Sequence, residues 1–67
     1  MKNKIRDLRE QFDLTQQDLA EKVEVSRQTI ISLENGKYNP SIFLAYKISK
    51  VFHLKIEEVF IFEEEDI

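Results

Sequence analysis

Residues 26–35, Ser-Arg-Gln-Thr-Ile-Ile-Ser-Leu-Glu-Asn, hold the side chains best suited to recognition chemistry. On a helix that turns about 100° per residue, Ile30, Leu33 and Glu34 gather on one side. Gln28, Ser32 and Asn35 gather on the other, flanked by Thr29 and Ile31. That second side carries no acid and offers amides and hydroxyls. Such groups donate and accept hydrogen bonds, which is what reading the edge of a nucleic-acid base requires. Gln forks onto adenine, Ser and Thr bond either base type, and Ile31 can meet a thymine methyl. An ordinary solvated helix surface is the competing assignment for the same residues.

Other chemistries are poorly supplied. The chain has no cysteine and a single histidine, His53, so neither disulfides nor a thiolate metal site is open to it. No nucleophile–base pair or metal-ligand set is visible. The expectation is therefore a protein without catalytic residues, metal, cofactor or small-molecule ligand.

The polar face needs elements to position it, and the chain reads as a run of short helices. Ile5, Leu8 and Phe12 recur at spacings of three and four, predicting a first helix over 3–12. Thr15 with Asp18 has the form of a capping box opening a second helix. Leu14 and Leu19 stand at hydrophobic-staple spacing around that cap, and Leu19, Ala20 and Val23 extend the buried face. Ser26 caps a third helix that runs to Asn35, with Gly36 free to take the left-handed conformation that ends it. Only Glu24-Val25 separates the two, so the helices are expected to cross steeply. The pair spans 15–35.

After the loop Lys37-Tyr38-Asn39-Pro40, Ser41 caps a fourth helix with the stripe Leu44, Ala45, Ile48 and Phe52. His53 falls where a left-handed stop is expected. Residues 55–60 suggest a fifth helix, with Glu57 and Glu58 near its positive end. Phe60-Ile61-Phe62 reads as a short β-strand that pairs with the extended N-terminus. The expected architecture is all-α: five helices plus that short C-terminal strand. Phe12, Phe43, Phe52 and Phe60 are expected in the core.

Sixty-seven residues make one domain, 1–67, which buries only about 60% of its unfolded surface. With no covalent or metal staple, a second subunit is the remaining source of stability. Neither a signal peptide nor a membrane-length apolar run is apparent, so a cytoplasmic location is expected. The net charge of −3 is unevenly spread. Residues 1–56 hold all ten Lys and Arg against seven acids, a balance of +3, and the last eleven residues hold the other six acids. A basic body with an acidic tail is compatible with nucleic-acid binding when the tail points away from the phosphates.

Several of these segments together resemble a known family. Leu14-Thr15-Gln16-Gln17-Asp18-Leu19-Ala20, Val25-Ser26-Arg27-Gln28-Thr29-Ile30, Glu34-Asn35-Gly36-Lys37 and Asn39-Pro40-Ser41 resemble the phage repressor and Cro family of helix-turn-helix regulators. The likeness is closest to its short, stand-alone prokaryotic members, and it runs in order through residues 4–60. It implies a lambda-repressor-like DNA-binding fold and double-stranded operator DNA as partner. Gln28, Thr29 and Ser32 would contact bases. Gln16 would contact a phosphate and brace the recognition-helix glutamine. Arg27, Asn35, Lys37, Tyr38 and Asn39 would line the DNA backbone, helped by backbone N–H groups at the helix starts. Arg9 would face Glu34 in a partly buried ion pair. The family's usual turn glycine is replaced by Glu24, which requires either a strained residue or a different turn.

Ile56, Val59, Phe60, Ile61 and Phe62 form an apolar cluster large for so small a core, and are expected at a homodimer contact within a tail spanning 56–67. The leading function is a transcriptional repressor that binds an inverted repeat as a homodimer. The alternative is a protein-interaction module, such as an antitoxin, that uses the same fold.

Overall fold

Caps at both ends of three of the helices set their boundaries in the computed structural model, which describes residues 1–66. Ile67, the last position of the expected tail, lies outside the described residues, as does the Asp66 side chain. The helices are α1 (Ile5–Gln11), α2 (Gln16–Lys22), α3 (Arg27–Glu34), α4 (Ile42–Val51) and α5 (Ile56–Val59). Strands β1 (Lys2–Asn3) and β2 (Phe60–Ile61) flank them, and a single 3₁₀ turn covers Glu64–Asp66.

Three hydroxyls open three helices. Thr15 accepts the backbone N–H of Asp18 at 2.9 Å, and the Asp18 carboxylate accepts the N–H of Thr15 at 2.9 Å. Ser26 caps α3 through Thr29 N–H at 3.2 Å, and Ser41 caps α4 through Leu44 N–H at 3.1 Å. α5 has half of such a box, in which the Lys55 N–H donates to Glu58 Oε1 at 2.9 Å.

The C-terminal ends of the first four helices share one solution. A residue with positive φ follows each: Asp13 at 55°, Glu24 at 61°, Gly36 at 72° and His53 at 58°. Behind each, two backbone N–H groups fold back onto the last turn, as Glu24 and Val25 do onto Glu21 and Ala20. This closes orphan carbonyls and reverses the chain within a few residues. Leu14, Val25 and Leu54 follow three of these reversals and pack against the core. Only Gly36 is suited to both demands of its position. It takes the left-handed conformation, and a Cβ there would stand 3.3 Å from the Met1 carbonyl oxygen.

Glu24 thus adopts the strained conformation within an otherwise regular turn. Left-handed φ costs an L-residue about 1–2 kcal/mol, and the Glu24–Lys47 pair at 3.5 Å is exposed and offsets little of it. Glu24→Gly is therefore expected to raise the melting temperature by a few degrees, readable by circular dichroism. An unchanged or lower value would show that the turn is not strained.

One core holds these elements together. Ile5, Leu19, Ala20, Val23, Ile30, Leu33, Leu44, Ala45, Ile48, Phe52, Val59 and Phe60 are buried in a single cluster. At about 1.5–3 kcal/mol for each fully buried large aliphatic or aromatic side chain, this cluster is the main stabilising term. β1 and β2 pair antiparallel, with Lys2 opposite Ile61 and Asn3 opposite Phe60. Lys4 N–H extends the join to the Val59 carbonyl at 2.8 Å. This pairing shortens the helix expected over 3–12, because residues 2 and 3 are drawn into the strand. The strand expected over 60–62 covers 60 and 61.

Two corrections follow. Val59 and Phe60, expected at a subunit contact, are 0% and 1% exposed and belong to the protomer's own core. Phe43, expected in the core, is 76% exposed, and Phe12 is half-exposed with its ring edge-on to Phe52 at 5.2 Å between centroids. Phe43 stands one residue before the buried Leu44, on the outer side of α4.

Candidate nucleic-acid interface

α3 is anchored from within. Ile30 and Leu33 have no exposed surface, and neither does the Glu34 side chain. Such burial leaves the helix one orientation, with Gln28, Arg27 and Asn35 exposed and Thr29, Ile31 and Ser32 half-buried. Eight residues give a helix about 12 Å long, comparable with the width of the DNA major groove. Thr29 shares its hydroxyl with Ser26, the two oxygens lying 3.0 Å apart. That pairing leaves the Thr29 oxygen at least one lone pair for a further partner, while Gln28 stands out from the helix start. Lys37, Tyr38 and Asn39 are all exposed on the loop that leaves α3.

The reversal after α2 places α3 directly against it. Residues 23–26 make the join, with Val25 N–H returning to the Ala20 carbonyl at 3.0 Å. The N-terminal segment holds the other end of α3. The Asn3 amide donates to the Leu33 carbonyl at 2.8 Å, its oxygen accepts the Ile5 N–H at 3.1 Å, and the Met1 ammonium donates to the Gly36 carbonyl at 3.0 Å.

Glu34 is the centre of a polar cluster that locks α1, α2 and α3. Arg9 Nε donates to Glu34 Oε2 at 2.8 Å and its Nη2 to Oε1 at 3.4 Å, while Nη1 donates to the Leu14 carbonyl at 2.9 Å. Gln16 Nε2 donates to Glu34 Oε1 at 3.2 Å. The bracing that Gln16 supplies here therefore runs to the end of α3, not to Gln28. Arg6 adds a third partner, its Nε 3.5 Å from Oε1. The side chain of Arg9 is 13% exposed and that of Arg6 58%, so the first is structural while the second contributes about 0–1 kcal/mol.

The titration of these groups follows from the geometry. Burial alone would push the Glu34 carboxyl up. Hydrogen bonds from Arg9 and Gln16, the Arg9 charge and the Arg6 contact outweigh it and hold the group below the usual carboxylate range. The same hydrogen bond to Glu34 raises Arg9 against the opposing effect of burial. Asp18 is also lowered, first by the Thr15 backbone N–H and then by its hydroxyl.

Arg6 and Asn3 were not singled out by sequence. Arg6 lies three residues before Arg9, hence on the same helix face, and that spacing was a usable signal. Asn3 is a residue type that favours helix starts, but its second bond, to residue 33, has no local signature.

Two short helices joined by residues 23–26, the second presenting an acid-free face of amides and hydroxyls, define a helix-turn-helix protein. A family model described as Helix-turn-helix matches residues 5–59, and the chain belongs to that family. It is 54% identical over 67 residues to an "Uncharacterized HTH-type transcriptional regulator" of Archaeoglobus fulgidus, covering all of this chain and 94% of that protein. Against one so named from Methanocaldococcus jannaschii the identity is 56% over 66 residues, covering 98% and 100%. The cryptic phage CTXphi transcriptional repressor RstR of Vibrio cholerae is 33% identical over 57 residues, 85% of this chain and 51% of that one. Among solved structures, the restriction-modification controller protein C.AhdI of Aeromonas hydrophila superposes with a TM-score of 0.76 at 27% identity. The match covers 84% of this chain and 85% of C.AhdI.

Proposed function

We propose that this protein is a sequence-specific, DNA-binding regulator of transcription that represses by occupying an inverted-repeat operator as a homodimer. The observation that carries the reading is the outward face of α3, fixed by a fully buried inner face and a locked Glu34. α3 enters the major groove, and Gln28, Thr29 and Ser32 meet base edges. Gln16, Arg27, Asn35, Lys37, Tyr38 and Asn39 meet the sugar-phosphate backbone and set the register. Residues 1–67 act as one cytoplasmic domain. Relatives named as transcriptional regulators, one of them as a repressor, support the assignment.

The dimer contact combines Ile56, Ile61 and Phe62 with the outer row of α4. Ile42, Phe43 and Tyr46 are 67%, 76% and 55% exposed, an unusual density of large apolar side chains for one short helix. Ile42, Ile56 and Phe62 border a common small cleft of about 210 Å³.

Selection from random duplex DNA is expected to yield a two-fold symmetric site. Titration of that site and a scrambled control at several salt concentrations then separates the contacts. Gln28→Ala is expected to cost roughly 1–3 kcal/mol on the selected site and to relax preference at one base pair per half-site. Lys37→Ala is expected to weaken both DNAs alike and lower the salt slope by about one per protomer. Equal losses on both DNAs for Gln28→Ala would remove it from the base-reading set. A wild-type protein that binds neither DNA would transfer the fold to the protein-interaction role.

A further inference from the structure

We infer that the depression between α1 and the starts of α2 and α3 holds one phosphodiester of the bound duplex, with Arg6 exchanging Glu34 for that phosphate. This rests on the reading of the protein as DNA-binding. Arg6, Arg9, Gln16, Gln17 and Arg27 border the depression together with one acid, Glu10. Arg27 begins the recognition helix, so this rim approaches the DNA backbone when Gln28 faces the bases.

Arg6 is the surplus member of the Glu34 cluster. Glu34 Oε1 already accepts from Arg9 at 3.4 Å and Gln16 at 3.2 Å, and Oε2 takes the short Arg9 bond at 2.8 Å. Arg6 stands farthest, at 3.5 Å, with a side chain more than half exposed. Its departure leaves Glu34 satisfied. Its planar guanidinium can then grip a phosphate through two parallel N–H bonds, a geometry the crowded Oε1 atom does not offer it. Arg9, tied to Glu34 and to the Leu14 carbonyl, stays in place and lends positive charge to the floor.

The test uses the full chain with the selected and scrambled duplexes. Arg6→Ala is expected to weaken both, and the ratio to wild type should shrink about three- to fourfold per protomer between 50 and 200 mM salt. Arg6→Lys should keep the wild-type salt slope, and the melting temperature of Arg6→Ala should stay near wild type. Glu10→Gln, which leaves the Glu34 cluster intact, should tighten both duplexes. Arg6→Ala with wild-type affinity and slope, or Glu10→Gln without a gain, overturns the inference while leaving the DNA-binding reading standing. A melting loss in Arg6→Ala comparable to that of Arg9→Ala would also overturn it, since Arg6 would then be a structural brace. A wild-type protein with no salt-dependent DNA binding defeats the functional reading and this inference together.

Discussion

Glu34→Ala is expected to destabilise the protein by about 3 kcal/mol, which at this chain length lowers the melting temperature by roughly 12–24 °C. The cost comes from what is left behind. Arg9 is 13% exposed and would keep its charge with only the Leu14 carbonyl as a fixed partner. Gln16 would lose its acceptor, and the join between α1, α2 and α3 would lose its centre. Replacing both charges by apolar side chains, Arg9→Met with Glu34→Leu, should recover much of the loss, because no unpaired charge then remains. A Glu34→Ala protein that melts like wild type would remove the structural role.

The same cluster predicts a dependence on pH. The folded-state pKa of Glu34 lies below its unfolded value of about 4.3. Its contribution is therefore fully present above the unfolded value and disappears as pH falls through the folded one. The difference in urea midpoint between wild type and Glu34→Gln should be constant above about pH 5 and shrink below about pH 4. Asp18 shifts in the same direction, so Asp18→Asn serves as the control for the second carboxylate.

Ile42→Glu is expected to abolish self-association at micromolar concentration and to weaken operator binding by about 10²- to 10⁴-fold, the range set by losing bivalent attachment. The residue is 67% exposed in the protomer, so a charge there leaves the core untouched. In a two-fold contact it meets the partner's equivalent surface twice, and two carboxylates would be buried without partners. Phe62→Glu, also on an exposed residue, should act in the same direction. Point substitutions suit this test better than truncation after Glu58, which would also delete the buried Val59 and Phe60. Sedimentation of an Ile42→Glu protein as an intact dimer would move the interface elsewhere.

What the sequence determines by itself is local. Thr15, Ser26 and Ser41 announce helix starts because a hydroxyl reaches an N–H only three residues on, so donor and acceptor share one short window. Gly36 and His53 mark helix ends for the same reason. The periodicity of Ile30, Leu33 and Glu34 located the inner face of α3 and, by subtraction, the polar one. Glu24 is the intermediate case. Its position in the turn was legible, but its φ of 61° was decided by the two returning hydrogen bonds and by Val25 packing behind it.

Long-range partners decided the rest. Phe60 fits either the core or a subunit contact until Asn3 pairs with it across the length of the chain and its ring is buried in the core. Phe43 looks like core until the neighbouring Leu44 takes the inward position on α4. Arg6 gains its place only when α1 lies over the end of α3 and brings it within reach of Glu34. Residue type and spacing determine which face of a helix is apolar. They do not say how much of that face a small core has room to cover, because that room is set by strands and helices brought together from opposite ends of the chain.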